Sequence, residues 1–169
     1  MITMLLLGLL QAQAGTIVAP PSGGWSYAER TDPGAPRMAV ARVRDENGAL
    51  LLVKCDVVVK PIVSVQFIPQ PRLAAGAPRR VQLTLDDVRA EFDTWNFPGS
   101  GAYVDDPANV YIYASEIAAA KKVSIGFDDD GKTVAGEFKG PGDDTLFRKV
   151  FAMCERPYAM PDPRAGLRK

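Results

Sequence analysis

Short apolar runs rich in β-branched residues, separated by turn-forming residues, fill the middle of the chain and constrain its fold most strongly. The stretches 37–44 and 49–56 flank Asn47-Gly48, a dipeptide typical of a tight β-hairpin. A second apolar run over 57–68 is interrupted at Pro61, which favours an edge or a bulge there. The pattern predicts neighbouring antiparallel strands.

The same reasoning extends the prediction to the rest of the domain. The stretch 88–95 fits helical spacing as well as strand alternation, and we favour the strand. The elements expected from residue 69 onward are a loop over 69–78, strands over 80–85 and 88–95, a loop over 97–107, a strand over 110–114, a helix from Ser115 to Lys122, and a hairpin of 123–127 with 133–138.

The last element is the clearest helix. Asp143 or Asp144 is placed to cap its start, and an apolar stripe follows at helical spacing. The stripe consists of Leu146, Phe147, Val150, Phe151 and Cys154. We therefore expect an α+β domain that is mainly antiparallel β, a small sandwich or open barrel with a short helix and a C-terminal helix packed on one side.

The first fourteen residues resemble a secretory signal peptide. An apolar run over 4–10 is followed by Ala12-Gln13-Ala14, the small-x-small pattern that signal peptidase recognises. The alternative is a buried N-terminal strand. The run is too short to cross a bilayer, which takes about 20 apolar residues, so no membrane span is expected. We predict a periplasmic or secreted protein.

The remaining chain divides into three parts by composition. Residues 15–36 are rich in proline and glycine and are predicted as an extended lead-in. Residues 37–155 form one β-rich domain, because 169 residues suit a single core. Residues 156–169 carry three prolines and a basic end, which predicts a flexible tail.

Two cysteines, Cys55 and Cys154, are the only pair available for a disulfide. An oxidising compartment favours joining them, and the closed loop of about 100 residues would stabilise the fold by about 4–5 kcal/mol. The alternative is two separately buried thiols. Neither cysteine is a candidate nucleophile, because the chain has no Cys-x-x-Cys motif and no histidine.

Composition excludes several function classes. Twenty basic residues balance twenty acidic ones, whereas a dedicated nucleic-acid binder carries a basic excess, so no nucleic-acid partner is expected. The absence of histidine removes Ser-His-Asp and Cys-His catalysis and His-ligated zinc. We expect no cofactor.

The acid-rich segment 86–144, with thirteen acidic and five basic side chains, could present an acidic face to a basic partner.

One acidic stretch matches two binding motifs by composition. Residues 126–133 fit the phosphate-loop expression, but three aspartates occupy the cradle and a strand pattern follows, so we interpret them as a hairpin turn. In a calcium-loop alignment, Asp128, Asp130 and Glu137 would be ligands, yet Gly126 stands where the first aspartate belongs. A solvated acidic turn without a metal is the favoured interpretation.

Adjacent carboxylates recur at Asp86-Asp87, Asp105-Asp106 and Asp143-Asp144. A glycosidase needs two carboxyl groups on opposite sides of a bond, and adjacent residues on a strand or turn point apart. Turn and helix-capping roles account for all three pairs. A site assembled from distant carboxylates remains the enzymatic alternative.

Aromatic side chains supply the candidate binding contacts, since such residues are enriched at interfaces. For each taken singly, packing in the core is the competing interpretation. The candidates are Trp25, Trp95, Tyr103, Tyr111 and Tyr113.

Several of these features together resemble a known family. Trp25 precedes a strand, 51–55, that ends in cysteine; 81–86 and Trp95 follow, and Phe138-x-Gly140 leads into a helix ending at Cys154. This order resembles the VasI/TagO-type accessory proteins of bacterial type VI secretion and related envelope proteins, over residues 25–155. The resemblance implies a periplasmic, non-enzymatic accessory protein and offers no catalytic residues.

The sequence therefore predicts an exported protein that binds an envelope protein or cell-wall component without catalysis. The alternative is a carboxylate-based hydrolase of envelope glycans, for which a cleft must bring two carboxyl groups together. A third possibility is a purely structural domain that associates with itself.

Overall fold

The computed structural model describes residues 24–162. The predicted signal peptide over 1–14 lies outside this range. In chain order the elements are β1 (Ser26–Arg30), β2 (Arg37–Arg44), β3 (Leu50–Val57), β4 (Pro61–Ile68), β5 (Gly76–Leu85), β6 (Val88–Gly99), β7 (Gly101–Val104), α1 (Pro107–Ala119), β8 (Lys122–Asp129), β9 (Lys132–Lys139) and α2 (Thr145–Met153).

The described strands form one antiparallel sheet in the order β1-β2-β3-β4-β7-β6-β5-β8-β9. The sheet curls into a half-barrel that carries the two helices. The predicted fold class is confirmed, and the sheet is open rather than split into a sandwich. β1 and β9 are its two edges.

The inner face of the sheet carries the core, because every second residue of each strand points there. Curling brings distant strands together: the Phe67 ring on β4 meets Phe127 and Phe138 on β8 and β9 edge-on, with ring centroids 6.2 Å apart in both pairs. Gly136 on β9 leaves room for these rings, since a Cβ there would lie 2.9 Å from atoms of Phe138 and Phe67.

α2 closes this core through a disulfide and an aromatic contact. Cys55 on β3 is bonded to Cys154 at the end of α2, with Cα atoms 5.7 Å apart, and both residues are buried. The predicted disulfide is confirmed. Phe147 on α2 is fully buried and meets the Trp25 ring at 5.0 Å. The helix and the disulfide thus join the end of the chain to its first strands.

Two of the predicted hairpins form as expected. β2 covers the predicted 37–44, and Asp45 N–H donates to the Ala49 carbonyl at the Asn47-Gly48 turn. β8 and β9 pair from Lys122 with Lys139 to Asp129 with Lys132 around the two-residue turn Asp130-Gly131. This turn confirms the interpretation of 126–133 as a hairpin and not a phosphate loop.

The prediction is wrong between residues 97 and 122. The expected strand 110–114 lies inside α1, and Ser115, expected to cap a helix, is in its interior. Asp106 caps α1 instead: its Oδ1 accepts from Ala108 N–H at 3.1 Å and Asn109 N–H at 3.0 Å. The β-branched and aromatic residues of this helix favour a strand locally, but burial of one helical stripe outweighs that preference. The stripe consists of Val110, Ala114, Ile117 and Ala118.

The predicted loop 97–107 is also wrong in its first part. β6 continues to Gly99, and β7 follows at once and pairs with both β4 and β6. Gly101 makes this insertion possible, because a Cβ there would lie 2.2 Å from the Phe67 carbonyl oxygen. β7 therefore links the two halves of the sheet.

The described ends of the chain pack on the domain. β1 lies within the segment 15–36, for which we predict an extended lead-in, and it pairs with β2. In the predicted tail 156–169, the Tyr158 ring contacts Phe151 at 5.0 Å and Tyr111 at 5.5 Å. The ordered domain thus extends beyond 37–155 at both ends.

Candidate binding surfaces

Of the five aromatic candidates, Trp95 is buried in the core and Tyr113 is a partly buried residue packed against it. Trp95 is 1% exposed and its ring lies 5.7 Å from Tyr113. Burial raises the pKa of Tyr113, and the nearby Asp93 carboxylate raises it further. Asp93 also accepts a hydrogen bond from the Asn109 side chain at 2.9 Å, which ties β6 to α1. Trp95 offers no surface to a partner.

Trp25 combines packing with partial exposure. Its indole N–H donates to the Lys139 carbonyl at 2.7 Å, which joins the segment before β1 to the end of β9. Trp25 also lines a groove of about 400 Å³ together with Asp143 and the start of α2. The Asp143 carboxylate accepts from the Thr145 backbone N–H, and this hydrogen bond lowers its pKa.

Tyr103 and Tyr111 are half-buried in different places. Tyr103 lines a groove of about 340 Å³ on the outer face of β4 and β7, beside Ser64 and Gln66. Tyr111 packs against Tyr158. The five candidates therefore do not form one site: Trp25 and Tyr103 line two different grooves.

The acidic turn between β8 and β9 is held by its own hydrogen bonds. Asp128 Oδ1 accepts from Gly131 N–H at 3.0 Å, and Asp129 forms an ion pair with Arg79. Glu137 lies farther along β9 and pairs with Lys122 at 3.4 Å. Among the described residues, no three metal-ligating side chains cluster, so Asp128, Asp130 and Glu137, the residues that a calcium-loop alignment would use, do not come together.

The adjacent carboxylates occupy turns and helix starts. Asp86 and Asp87 form the β5–β6 turn with φ of 48° and 63°, and Asp86 Oδ1 accepts from the backbone of Lys121 and Lys122 at 2.8 Å. The Lys122 ammonium hydrogen-bonds to Asp87, which raises the pKa of the lysine. Asp144 is bound by the Arg148 guanidinium at 2.7 Å. One aspartate of each pair, namely Asp86, Asp106 and Asp143, thus accepts backbone hydrogen bonds at a turn or helix start, as expected from the sequence.

A groove that the sequence did not reveal lies on the outer face of β5, β6, β8 and β9. It has a volume of about 460 Å³. Two small residues lie side by side in its floor, Gly126 on β8 and Ala135 on β9, and Gln82 on β5 lies on the other side of Gly126. Arg80 lies over the Phe92 ring, 4.8 Å from its centre, at one wall. We call this surface the outer groove.

A second groove, which we call the edge groove, runs beside β9. Residues 44–47 at the β2–β3 turn form one wall and residues 135–139 of β9 form the other, around about 540 Å³. Asp45 lines it and is only 7% exposed. Its Oδ1 accepts from Ala49 N–H at 2.7 Å, but the buried Oδ2 has no hydrogen-bond partner among the described residues.

The backbone of β9 alternates between paired and outward-facing groups. In a two-residue hairpin the residues that flank the turn form the closing hydrogen-bonded pair, here Asp129 with Lys132. Residues 134, 136 and 138 therefore bond to β8, while 133, 135, 137 and 139 face away from it. The Trp25 bond to the Lys139 carbonyl agrees with this alternation. Within residues 24–162, no hydrogen bond reaches the outward backbone groups of Ala135 and Glu137.

Comparison with known proteins finds no matching family model, no curated relative and no solved structure. In the described part of the chain, no helix combines the length and apolar character needed to cross a bilayer. The surfaces of this domain must therefore be interpreted from their own chemistry.

Proposed function

We propose that the chain is an exported accessory protein that binds a protein or cell-wall component of the bacterial envelope and does no chemistry. The observation that carries the proposal is the buried disulfide between Cys55 and Cys154. Such bonds persist in oxidising compartments and are rare in the reducing cytosol. The signal-like residues 1–14 and the resemblance to VasI/TagO-type proteins favour the same compartment.

The surface grooves that are not occupied by the core support a binding role. The inner face is occupied by the core, by α2 and by the disulfide. The outer groove and the edge groove present polar side chains, and along the edge groove two residues have backbone groups without a partner among residues 24–162. Such features suit recognition of a partner. The adjacent aspartates have roles in turns and helix starts.

The compartment can be tested by thiol labelling of the protein as it is made in cells. Because both cysteines are buried, the chain is unfolded before alkylation. Without reductant both cysteines should stay unlabelled, and labelling should appear only after reduction. Recovery of the chain in the cytoplasmic fraction with both cysteines labelled would contradict export, and labelling of both cysteines in the periplasmic fraction would contradict the disulfide alone.

Binding can be tested by crosslinking in intact cells and affinity capture of the tagged full-length chain. We expect one dominant envelope component, reduced by Tyr103→Ala or Arg80→Ala. Val88→Ala is the control, because Val88 is exposed at the β5–β6 turn and lines none of the four grooves described above. Background alone for every variant contradicts the binding role, and release of soluble products from isolated cell walls would favour the hydrolase instead.

A further inference from the structure

We propose that β9, whose outer edge is unpaired among residues 24–162, binds an extended peptide segment of a partner protein by adding it as a further strand to the sheet. This inference rests on the proposed binding function and names the surface and the class of partner. Strand addition is a known mode of peptide recognition in which main-chain hydrogen bonds supply affinity and neighbouring pockets supply specificity.

The first argument concerns the backbone. β9 has eight residues and ends the sheet. Ala135 and Glu137 present outward N–H and C=O groups along the edge groove, with no hydrogen bond from any described residue. Edge strands of this length with unpaired groups are templates for pairing with another chain.

The second argument concerns Asp45, on the opposite wall of the groove. A buried carboxylate oxygen without a partner is costly, and such atoms are uncommon in folded proteins. Asp45 Oδ2 is such an atom, and it belongs to a residue that lines the edge groove. This oxygen is itself closed to solvent, so a donor on a bound segment would satisfy it after a small movement of the β2–β3 turn that opens the oxygen to the groove.

Charge indicates what the partner segment should carry. Asp45, Glu46 and Glu137 line the edge groove together with Arg44 and Lys139. The Arg44 guanidinium donates to the Gly48 carbonyl at 3.0 Å, so it is directed to its own turn. We therefore infer an extended segment with a lysine or arginine beside Asp45 and Glu46, where opposite charge fixes the register.

The test selects random twelve-residue peptides displayed on phage against the immobilised, oxidised full chain. Ala135→Pro removes one outward N–H without removing a bond to β8, and proline is tolerated on edge strands. Ala135→Val is the matched control, since it keeps the N–H. We expect enriched peptides with an alternating pattern and a basic residue, which bind the wild type and Ala135→Val alike and lose at least tenfold in affinity on Ala135→Pro.

A synthetic copy of the best peptide gives a second test that does not depend on how Ala135→Pro folds. Methylation of alternate backbone nitrogens in the peptide should abolish binding when the methylated set faces β9 and leave it intact when the other set is methylated. Asp45→Asn keeps an oxygen that can accept from Ala49 N–H but removes the negative charge. It should lower the affinity for basic peptides more at low salt than at high salt.

Several results would overturn strand addition. These are no enriched peptide, equal binding to Ala135→Pro that still folds, and equal tolerance of both methylation patterns. Crosslinking in cells separates this failure from failure of the proposed function. A partner captured equally by wild type and Ala135→Pro disproves strand addition and leaves the binding role, whereas no partner with either chain contradicts both.

Discussion

The inner face of the sheet and the outer edge of β9 both come from strands with alternating side chains, but they differ in how completely their groups are packed or hydrogen-bonded. On the inner face, apolar side chains from both halves of the sheet pack against one another and against α2, and the disulfide fixes α2 there. Along β9, the outward backbone groups of Ala135 and Glu137 lack hydrogen-bond partners within residues 24–162, as does the buried Oδ2 of Asp45 across the edge groove. The comparison teaches that the inner face accounts for the packing, whereas the β9 edge keeps unpaired backbone groups in the part of the chain that the structure describes.

The largest expected effect comes from removing the disulfide. Replacing both Cys55 and Cys154 with alanine should lower the free energy of unfolding by about 4–5 kcal/mol, because the bond links residues 99 apart and its loss frees the unfolded chain. Urea titration measures the change, and reduction of the wild type is the matched control. A loss below about 1 kcal/mol would mean that the bond does not stabilise the inner face.

Two phenylalanines compare the faces directly. Phe147→Ala should cost about 3–5 kcal/mol, because Phe147 is fully buried between α2 and Trp25. Phe92→Ala, on the outer groove, should cost about 1 kcal/mol, chiefly through loss of the Arg80 contact. Equal losses in urea titrations of the two variants would show that the outer groove is part of the core.

Two glycines beside α2 give a smaller contrast. A Cβ at Gly140 would lie 1.8 Å from the Ala120 carbonyl oxygen, so Gly140→Ala should cost about 2–3 kcal/mol. Gly142 has φ of 89° and open space around it, and Gly142→Ala should cost about 1 kcal/mol. Thermal unfolding can compare the two, and the reverse order would mean that Ala120 and Gly140 are not closely packed.

The smallest expected effect is a change in pH dependence. Burial raises the pKa of Tyr158 to about 12, above the value near 10 expected in the unfolded chain. Between these pH values the unfolded phenol ionises while the folded one keeps its proton, so stability should fall as pH rises. Tyr158→Phe should make this fall shallower and cost little below pH 10, since the buried hydroxyl has no partner among the described residues. An unchanged slope would contradict the burial of Tyr158.

Local pattern predicted the hairpins and the C-terminal helix, and the disulfide followed from the cysteines and the expected export. Turn residues at 47–48 and 130–131 define register by themselves. Local pattern failed to predict α1 at 107–119, because the β-branched and aromatic residues there favour a strand and only packing selects the helix. An Asp-Pro pair at 106–107 was the available signal for a helix start.

The grooves could not be predicted in the same way. The edge groove depends on β9 lying at the end of the sheet and on the β2–β3 turn standing beside it. The order of the strands places Asp45 and Ala135 on the same groove although they are about 90 positions apart in the sequence. The periodicity of a single sequence does not contain this information. The sequence marked the acidic residues without showing which of them would face a groove.

Hydrogen exchange along β9 in the oxidised full chain tests the central claim most directly. We predict slow exchange at the amides of Gly136 and Phe138, which bond to β8, and fast exchange at Ala135 and Glu137, which face the edge groove. The same pattern should hold across a hundredfold range of protein concentration. Slow exchange at Ala135 and Glu137 at every concentration would contradict a free edge, and protection only at high concentration would mean that a second copy of the chain covers it.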